Sequence, residues 1–327
     1  MQNLTIVMYH YVRPLAGSRY PELKALELDN FRGQLAHIER NYTVIDMEQL
    51  IAAVGPEAVP LPENPLLLTF DDGYMDHIDH VLPLLNARGW QGSFFPPACS
   101  VIDRRVLDVN KLHFVLASVA DPETLVRYVF SAMDEAREDH GLERNEAMFA
   151  RIAHDSRYDD PATTFVKRAL QRELPEAFRK SLVDSLFSRY VSSDEQDFAA
   201  ELYMGERELT HLLDAGMFIG SHGCQHYWLN SLERDAQIQE IDNSLAFLER
   251  LGVPRKDWVM CYPYGGYDES LLGILRSRGC AVGLTTEVKV ANLADCDPLT
   301  LPRLDTNDLP MSAGTPRRQS HIATPEP

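Results

Sequence analysis

An α/β fold of parallel βα units, broken by a long helical insertion, is what this sequence predicts. Three observations predict it. Short β-prone runs alternate with helical patterns in the first hundred residues and again after residue 203, the rhythm of a parallel sheet. The run PLLLTF, residues 65–70, is continuously apolar, as a strand covered on both faces must be. Between Asp103 and Tyr203 the pattern is almost wholly helical.

Taken in order, LTIVMY (residues 4–9) reads as a buried strand, DNFRGQLAHIERNY as a helix behind an Asp-Asn start, and YTVIDMEQL as a short strand feeding a helix. PLLLTF is the next strand, HIDHVLPLLNARGW a helix with Gly89 near its end, and QGSFFPP a strand. VNKLHFVLASVA, PETLVRYVFSAMDEA and AFRKSLVDSLFSRYV are helices of the insertion, which reads as a lid or side wall. The βα rhythm then resumes through ERELTHLLDAG, MFIGSH, ERDAQIQEIDNSLAFLERLG, WVMCYPYG, DESLLGILRSRG and AVGLTT, with glycines closing the helices. The expected organisation is a discontinuous barrel of residues 1–102 and 204–309, an insertion at 103–203, and a polar, proline-rich, disordered tail at 310–327.

Composition narrows the function. A net charge of −18 over 327 residues argues against nucleic acid, whose phosphates call for Lys and Arg. It leaves open an anionic substrate held by a local basic pocket. No run approaches the roughly 20 apolar residues of a membrane span. The N-terminus shows no basic-then-apolar secretory pattern, and five cysteines without C-x-x-C spacing read as free thiols of a reducing cytoplasm.

Three segments carry candidate chemistry. LTFDDGY, residues 68–74, places Asp71 and Asp72 side by side at a strand end; D-D-G is either a simple turn or a pair in which one carboxylate takes a cation and the other stays free as a base. SHGCQHYWLN sets His222 and His226 at i and i+4, a spacing that suits a metal and also an ordinary packed or exposed pair. CYPYGGYDES gives a turn with Tyr262, Pro263, Tyr264 and Gly265, either a rigid connection or a wall facing substrate.

In that order, T-F-D-D-G, H-x-x-x-H after a G-S step, and Y-P-Y-G before a helix resemble the polysaccharide deacetylase family, the NodB-homology domain of carbohydrate esterase family four. The resemblance covers residues 60–100 and 205–290, with an M-Y-H opening seen in many relatives. It implies a distorted (β/α) barrel, here with a large helical insertion. It also implies a divalent metal, zinc for preference, held by Asp72, His222 and His226, with Asp71 as general base. Tyr74, the 262–265 turn and Asp305 are then expected near substrate, although Asp305 reads equally as a turn residue or a partner of Arg303.

The chain departs from the family pattern in three places. The family's H-[S/T] step is His222-Gly223 here. Cys261 stands where an arginine usually steadies the catalytic aspartate, so another cation is needed and Arg303 of LPRLD is the candidate. The late histidine that serves as general acid has no match, which leaves His10 or His113 for that role, each also readable as a packed side chain. Cys224 and Cys261 are alternative soft ligands, and His77 and His80 are expected to face solvent. The function implied is removal of an N-acetyl group from an amino sugar of a surface polysaccharide such as O-antigen or capsule, or from its nucleotide- or lipid-linked precursor. Hydrolysis of another C–N bond, in a cyclic amide or formamide, and sugar binding without turnover are the alternatives.

Overall fold

The computed structural model describes residues 3–156 and 159–312. Of the tail expected to be disordered, residues 313–327 lie outside them. The described residues divide into two compact units, one of residues up to Pro14, Ala25–Arg104 and Ala200 onward, the other of Leu15–Lys24 and Arg105–Ala199.

The first unit is a distorted (β/α) barrel. Strand β1 (Asn3–Tyr9) pairs in parallel with β2 (Pro65–Asp71), from Thr5 opposite Leu66 to Tyr9 opposite Phe70. From β2 the ring runs through β3 (Ser93–Phe95) to β4 (Phe218–Ile219). A single parallel bridge, Ser221 to Met260, leads on to β5 (Val259–Cys261), which pairs with β6 (Val282–Leu284). Another bridge, Leu284 to Leu301, and the short strand β7 (Leu304–Asp305), parallel to β1, close the ring. The distortion lies at the two bridges, where one contact does the work of a full ladder. β7 lies beyond the last strand the apolar pattern predicts, and with two residues it is too short to show a period.

Strand alternation sorts the core. Val7, Tyr9, Leu66, Leu68 and Phe70 join one cluster with helix residues such as Phe31, Leu35, Leu82 and Leu85, on the outside of the barrel. Leu4, Ile6 and Leu67 point the other way, into a cluster with Val259, Val282, Leu284 and Leu301. Because successive side chains alternate faces, Thr69 and Asp71 follow Leu67 to the interior. The barrel is therefore apolar at its base and polar where β2 ends.

The second unit is helical, with helices at Asp108–Ser118, Pro122–His140, Asn145–Ile152, Pro161–Arg168 and Glu176–Tyr190. Phe114 and Phe198 meet edge to face at 4.9 Å, as do Phe130 and Phe165 at 5.3 Å. Lys111, almost fully buried, is neutralised by Asp184 and Glu195. Leu15–Lys24 groups with these helices because Tyr20 packs on Phe114 and Lys24 pairs with Asp159. No helix among the described residues is long and apolar enough to cross a membrane.

Candidate active site

Asp71 is the last residue of β2 and the innermost carboxylate of the barrel. Arg303, just before β7, meets it as a fork: Nη1 donates to Oδ1 at 2.9 Å and Nη2 to Oδ2 at 2.8 Å. The same guanidinium donates from Nε to the Thr285 carbonyl at 2.8 Å and from Nη1 to Thr69 Oγ1 at 3.1 Å. Both side chains are essentially inaccessible to water. Burial pushes the Asp71 carboxyl towards neutrality, but the Arg303 charge, the nearby His222 and the paired hydrogen bonds outweigh it and hold its pKa below the usual range.

Asp72 follows in a left-handed conformation, φ 69°, and Gly73 repeats it at 72°. That double turn swings the second carboxylate off the strand axis. Gly73 is required on space as well, since a Cβ there would lie 2.8 Å from the Pro96 side chain. Asp72 Oδ1 then sits 3.3 Å from His222 Nε2 and 3.4 Å from His226 Nε2. His222 is oriented by its other ring nitrogen, Nδ1, which donates to the Cys261 carbonyl at 2.8 Å. Asp72 is oriented in its turn by the Tyr74 hydroxyl, which donates to Oδ2. Partners of this kind are what fix metal ligands in place.

The donor set fits a metal. One atom from each of Asp72, His222 and His226 lies within 4.8 Å of the others, all three residues are buried, and Asp72 Oδ1 has no hydrogen-bond partner. An orphaned, buried carboxylate oxygen facing two imidazole nitrogens is the arrangement a divalent cation satisfies. A second grouping, Asp71, His222 and Cys261, also lies within 4.8 Å. It is the poorer set, because Asp71 gives both oxygens to Arg303 and burial raises the Cys261 thiol pKa. Burial also disfavours charge on both imidazoles. In His222 the neighbouring carboxylates and Cys261 overcome it and raise the pKa well above 6.5, whereas in His226 burial wins and the pKa falls.

Other expected residues fall in several places. His10 lies at the end of β1 with Nε2 4.0 Å from Asp71 Oδ2 and its side chain 41% exposed. His113 belongs to the helical unit, where with Glu22, Lys24, Thr163 and Lys167 it lines a cavity of about 490 Å³. Tyr264 is half-buried, with its ring edge on His226 at 4.8 Å and its face stacked on Trp228 at 4.6 Å; Gly265 beside it is also half-buried.

Several side chains near the motifs have structural partners, and for His77 the expectation of solvent exposure is overturned. Tyr74 is fully buried, stacked between Tyr11 and Tyr203 with its hydroxyl on Asp72. Tyr262 is buried too, with its hydroxyl tied to the Leu299 carbonyl at 2.7 Å, and Pro263 lies buried next to it. Asp305 serves the turn 306–308, accepting from the Asn307 amide, because both arms of Arg303 are committed to Asp71. His77 does not face solvent: it is buried against Phe70 and Phe94, its Nε2 donates to the His10 carbonyl at 3.0 Å, and burial lowers its pKa to about 4.

Sequence reasoning passed over Gln237, Glu240 and Ser244, which are buried on the helix Arg234–Arg250. They share a stripe with Ile241 and Leu248 at helical spacing. Polar side chains on an otherwise apolar stripe were the available signal.

The family model described as polysaccharide deacetylase matches residues 156–283, a stretch holding His222, His226 and the 261–265 turn but not Asp71 or Asp72. No curated protein matches the chain. Among solved structures, the Streptococcus pyogenes deacetylase PplD in complex with acetate is 15% identical with TM-score 0.55, covering 93% of this chain and 92% of that one. A de-N-acetylase from Aggregatibacter actinomycetemcomitans is 14% identical with TM-score 0.54, covering 93% and 96%. IcaB from Ammonifex degensii is 16% identical with TM-score 0.53, covering 93% and 91%. At such identities these structures share the fold with this chain. The chain thus matches the polysaccharide deacetylase model over residues 156–283 and shares its fold with these solved deacetylases.

Proposed function

We propose that the protein is a metal-dependent hydrolase that removes the N-acetyl group from an amino sugar of a surface polysaccharide or its precursor. The observation that carries this reading is the pairing of two unlike carboxylates: Asp72, with a bare oxygen toward two imidazoles, and Asp71, held ionised by Arg303. Asp72, His222 and His226 would hold a divalent cation, zinc for preference. When bound, it supplies Lewis acidity, making water acidic enough to react near neutral pH and polarising the acetyl carbonyl.

The chain's own groups do the rest. Asp71 accepts a proton from the attacking water as its oxygen bonds to the acetyl carbon. The backbone N–H at Tyr264 donates to the carbonyl oxygen as charge builds there. His10, on the open side of Asp71, gives a proton to the amide nitrogen as the C–N bond breaks, releasing acetate and the free amine. Arg303 keeps Asp71 charged and aimed. Five free cysteines support a reducing compartment, the cytoplasm, and with it a nucleotide- or lipid-linked sugar as substrate.

Two measurements test this. Protein purified without chelator should carry about one divalent metal per chain, and Asp72→Ala should lose it; unchanged metal content in that variant would refute the site. Acetate release from a panel of N-acetylated sugars and sugar nucleotides should fall roughly 100- to 10,000-fold in Asp71→Asn and in His10→Gln, with metal retained. Metal binding without acetate release would point to a cyclic amide or formamide substrate, or to sugar binding alone.

A further inference from the structure

The loop that carries both imidazoles is fastened along its length to one face of one helix. Ser221 Oγ lies 2.8 Å from Ser244 Oγ. The Glu240 carboxylate accepts from two successive backbone amides, Cys224 N at 2.7 Å to Oε2 and Gln225 N at 3.1 Å to Oε1 and 3.0 Å to Oε2. Gln237 Nε2 donates to the Leu229 carbonyl at 3.0 Å and to Asp268. Residues 237, 240 and 244 fall on one stripe of the helix, and their exposures are 0%, 5% and 1%.

The loop between the imidazoles has no regular structure of its own and is held from outside, by this helix and by the Ala98 and Cys99 amides, which donate to the Gly223 and Cys224 carbonyls. Gly223 and His226 both take left-handed conformations, φ 73° and 58°, and no strand or helix covers residues 222–228. Two consecutive amides turned toward one anion form a concave nest, and here the anion is built in. A buried carboxylate is costly unless hydrogen-bonded, so a plain loop anchor would be better made by a neutral side chain. A carboxylate accepts from both amides at once, which a carboxamide cannot do without turning its NH₂ toward a donor.

We infer that Glu240, supported by Ser244 and Gln237, is a positioning residue that presets His222 and His226 for the metal. The inference rests on the metal-centre reading above. It assigns to the helix Arg234–Arg250 a role in setting metal affinity, beyond its share of the core.

The test compares Glu240→Gln, Ser244→Ala and Asp72→Ala with the native chain. Zinc affinity is read by competition with a chromophoric chelator, the melting temperature is read without metal, and hydrogen exchange is read at the Cys224 and Gln225 amides. Glu240→Gln should weaken zinc binding roughly 10- to 100-fold and release those two amides, while the metal-free melting temperature changes far less than such a loss of affinity would imply. A merely structural residue would lower the metal-free melting temperature and leave the affinity of the folded protein alone. Affinity within twofold of native in Glu240→Gln overturns the inference. Should that variant not fold, Ser244→Ala decides, with several-fold weaker binding expected and unchanged binding fatal. If Asp72→Ala loses zinc but neither of the others does, the positioning role alone falls; if Asp72→Ala binds zinc normally, the metal centre falls and takes it along.

Discussion

Two adjacent aspartates end β2, and their fates diverge within one residue. Asp71 keeps the strand's inward direction and meets Arg303, 232 residues away in the chain; Asp72 turns left-handed and meets the imidazoles. The Asp71–Arg303 pair is fully buried, so losing one partner strands the other. Arg303→Met should cost about 3–5 kcal/mol of stability in denaturant unfolding. With burial no longer opposed, the Asp71 carboxyl moves upward, and the acid limb of the pH–rate profile should shift to higher pH. His77 makes a separate claim. Its pKa falls from 6.5 to about 4, so the unfolded chain binds the extra proton first. There is no penalty above about pH 6.5, and stability should drain away as pH falls towards 4, by about 3 kcal/mol in all. His77→Phe should flatten that slope; an unchanged slope would show that other groups set it.

At the scale of elements, the turn after β2 and the loop 222–228 do the positioning. The turn is left-handed at Asp72 and Gly73, and Gly73 lies against Pro96. Gly73→Ala combines backbone strain with a contact that must shift, so it should destabilise by about 1–3 kcal/mol and weaken metal binding. Melting and zinc titration would check both effects, and normal values in both would remove the turn from the site. Motif spacing singles out Asp71, Asp72, His222 and His226, because their chemistry is local to two short segments. It is silent on Glu240 and Ser244, whose importance lies in which loop the helix packs beneath. Motif spacing is silent too on the burial of Tyr74 and Tyr262, whose hydroxyls are taken up by Asp72 and by the Leu299 carbonyl.

For the whole molecule, the ring of strands is what makes the site one object. β7, two residues long, closes the barrel against β1 and carries Arg303 to Asp71. A metal that binds only the closed barrel should stabilise it by mass action, about 2.7 kcal/mol at a hundredfold excess over its dissociation constant. Chelation should therefore lower the melting temperature of the barrel unit by several degrees, reversibly on adding zinc. Asp72→Ala should melt at the same temperature with and without chelator, and a chelator effect surviving in that variant would place the metal elsewhere.

The sequence by itself determined the α/β alternation, the helical block within it and the two motif segments, because periodicity and spacing are properties of short stretches. Only the tertiary structure decided which strand closes the barrel, that Leu15–Lys24 joins the helical unit, and that His77 is buried. It also decided that Arg303 reaches Asp71 and that Glu240 grips the histidine loop. Each of these depends on contacts between segments far apart in the chain, set by the closure of the ring and the packing of helices on it, and no local pattern encodes them.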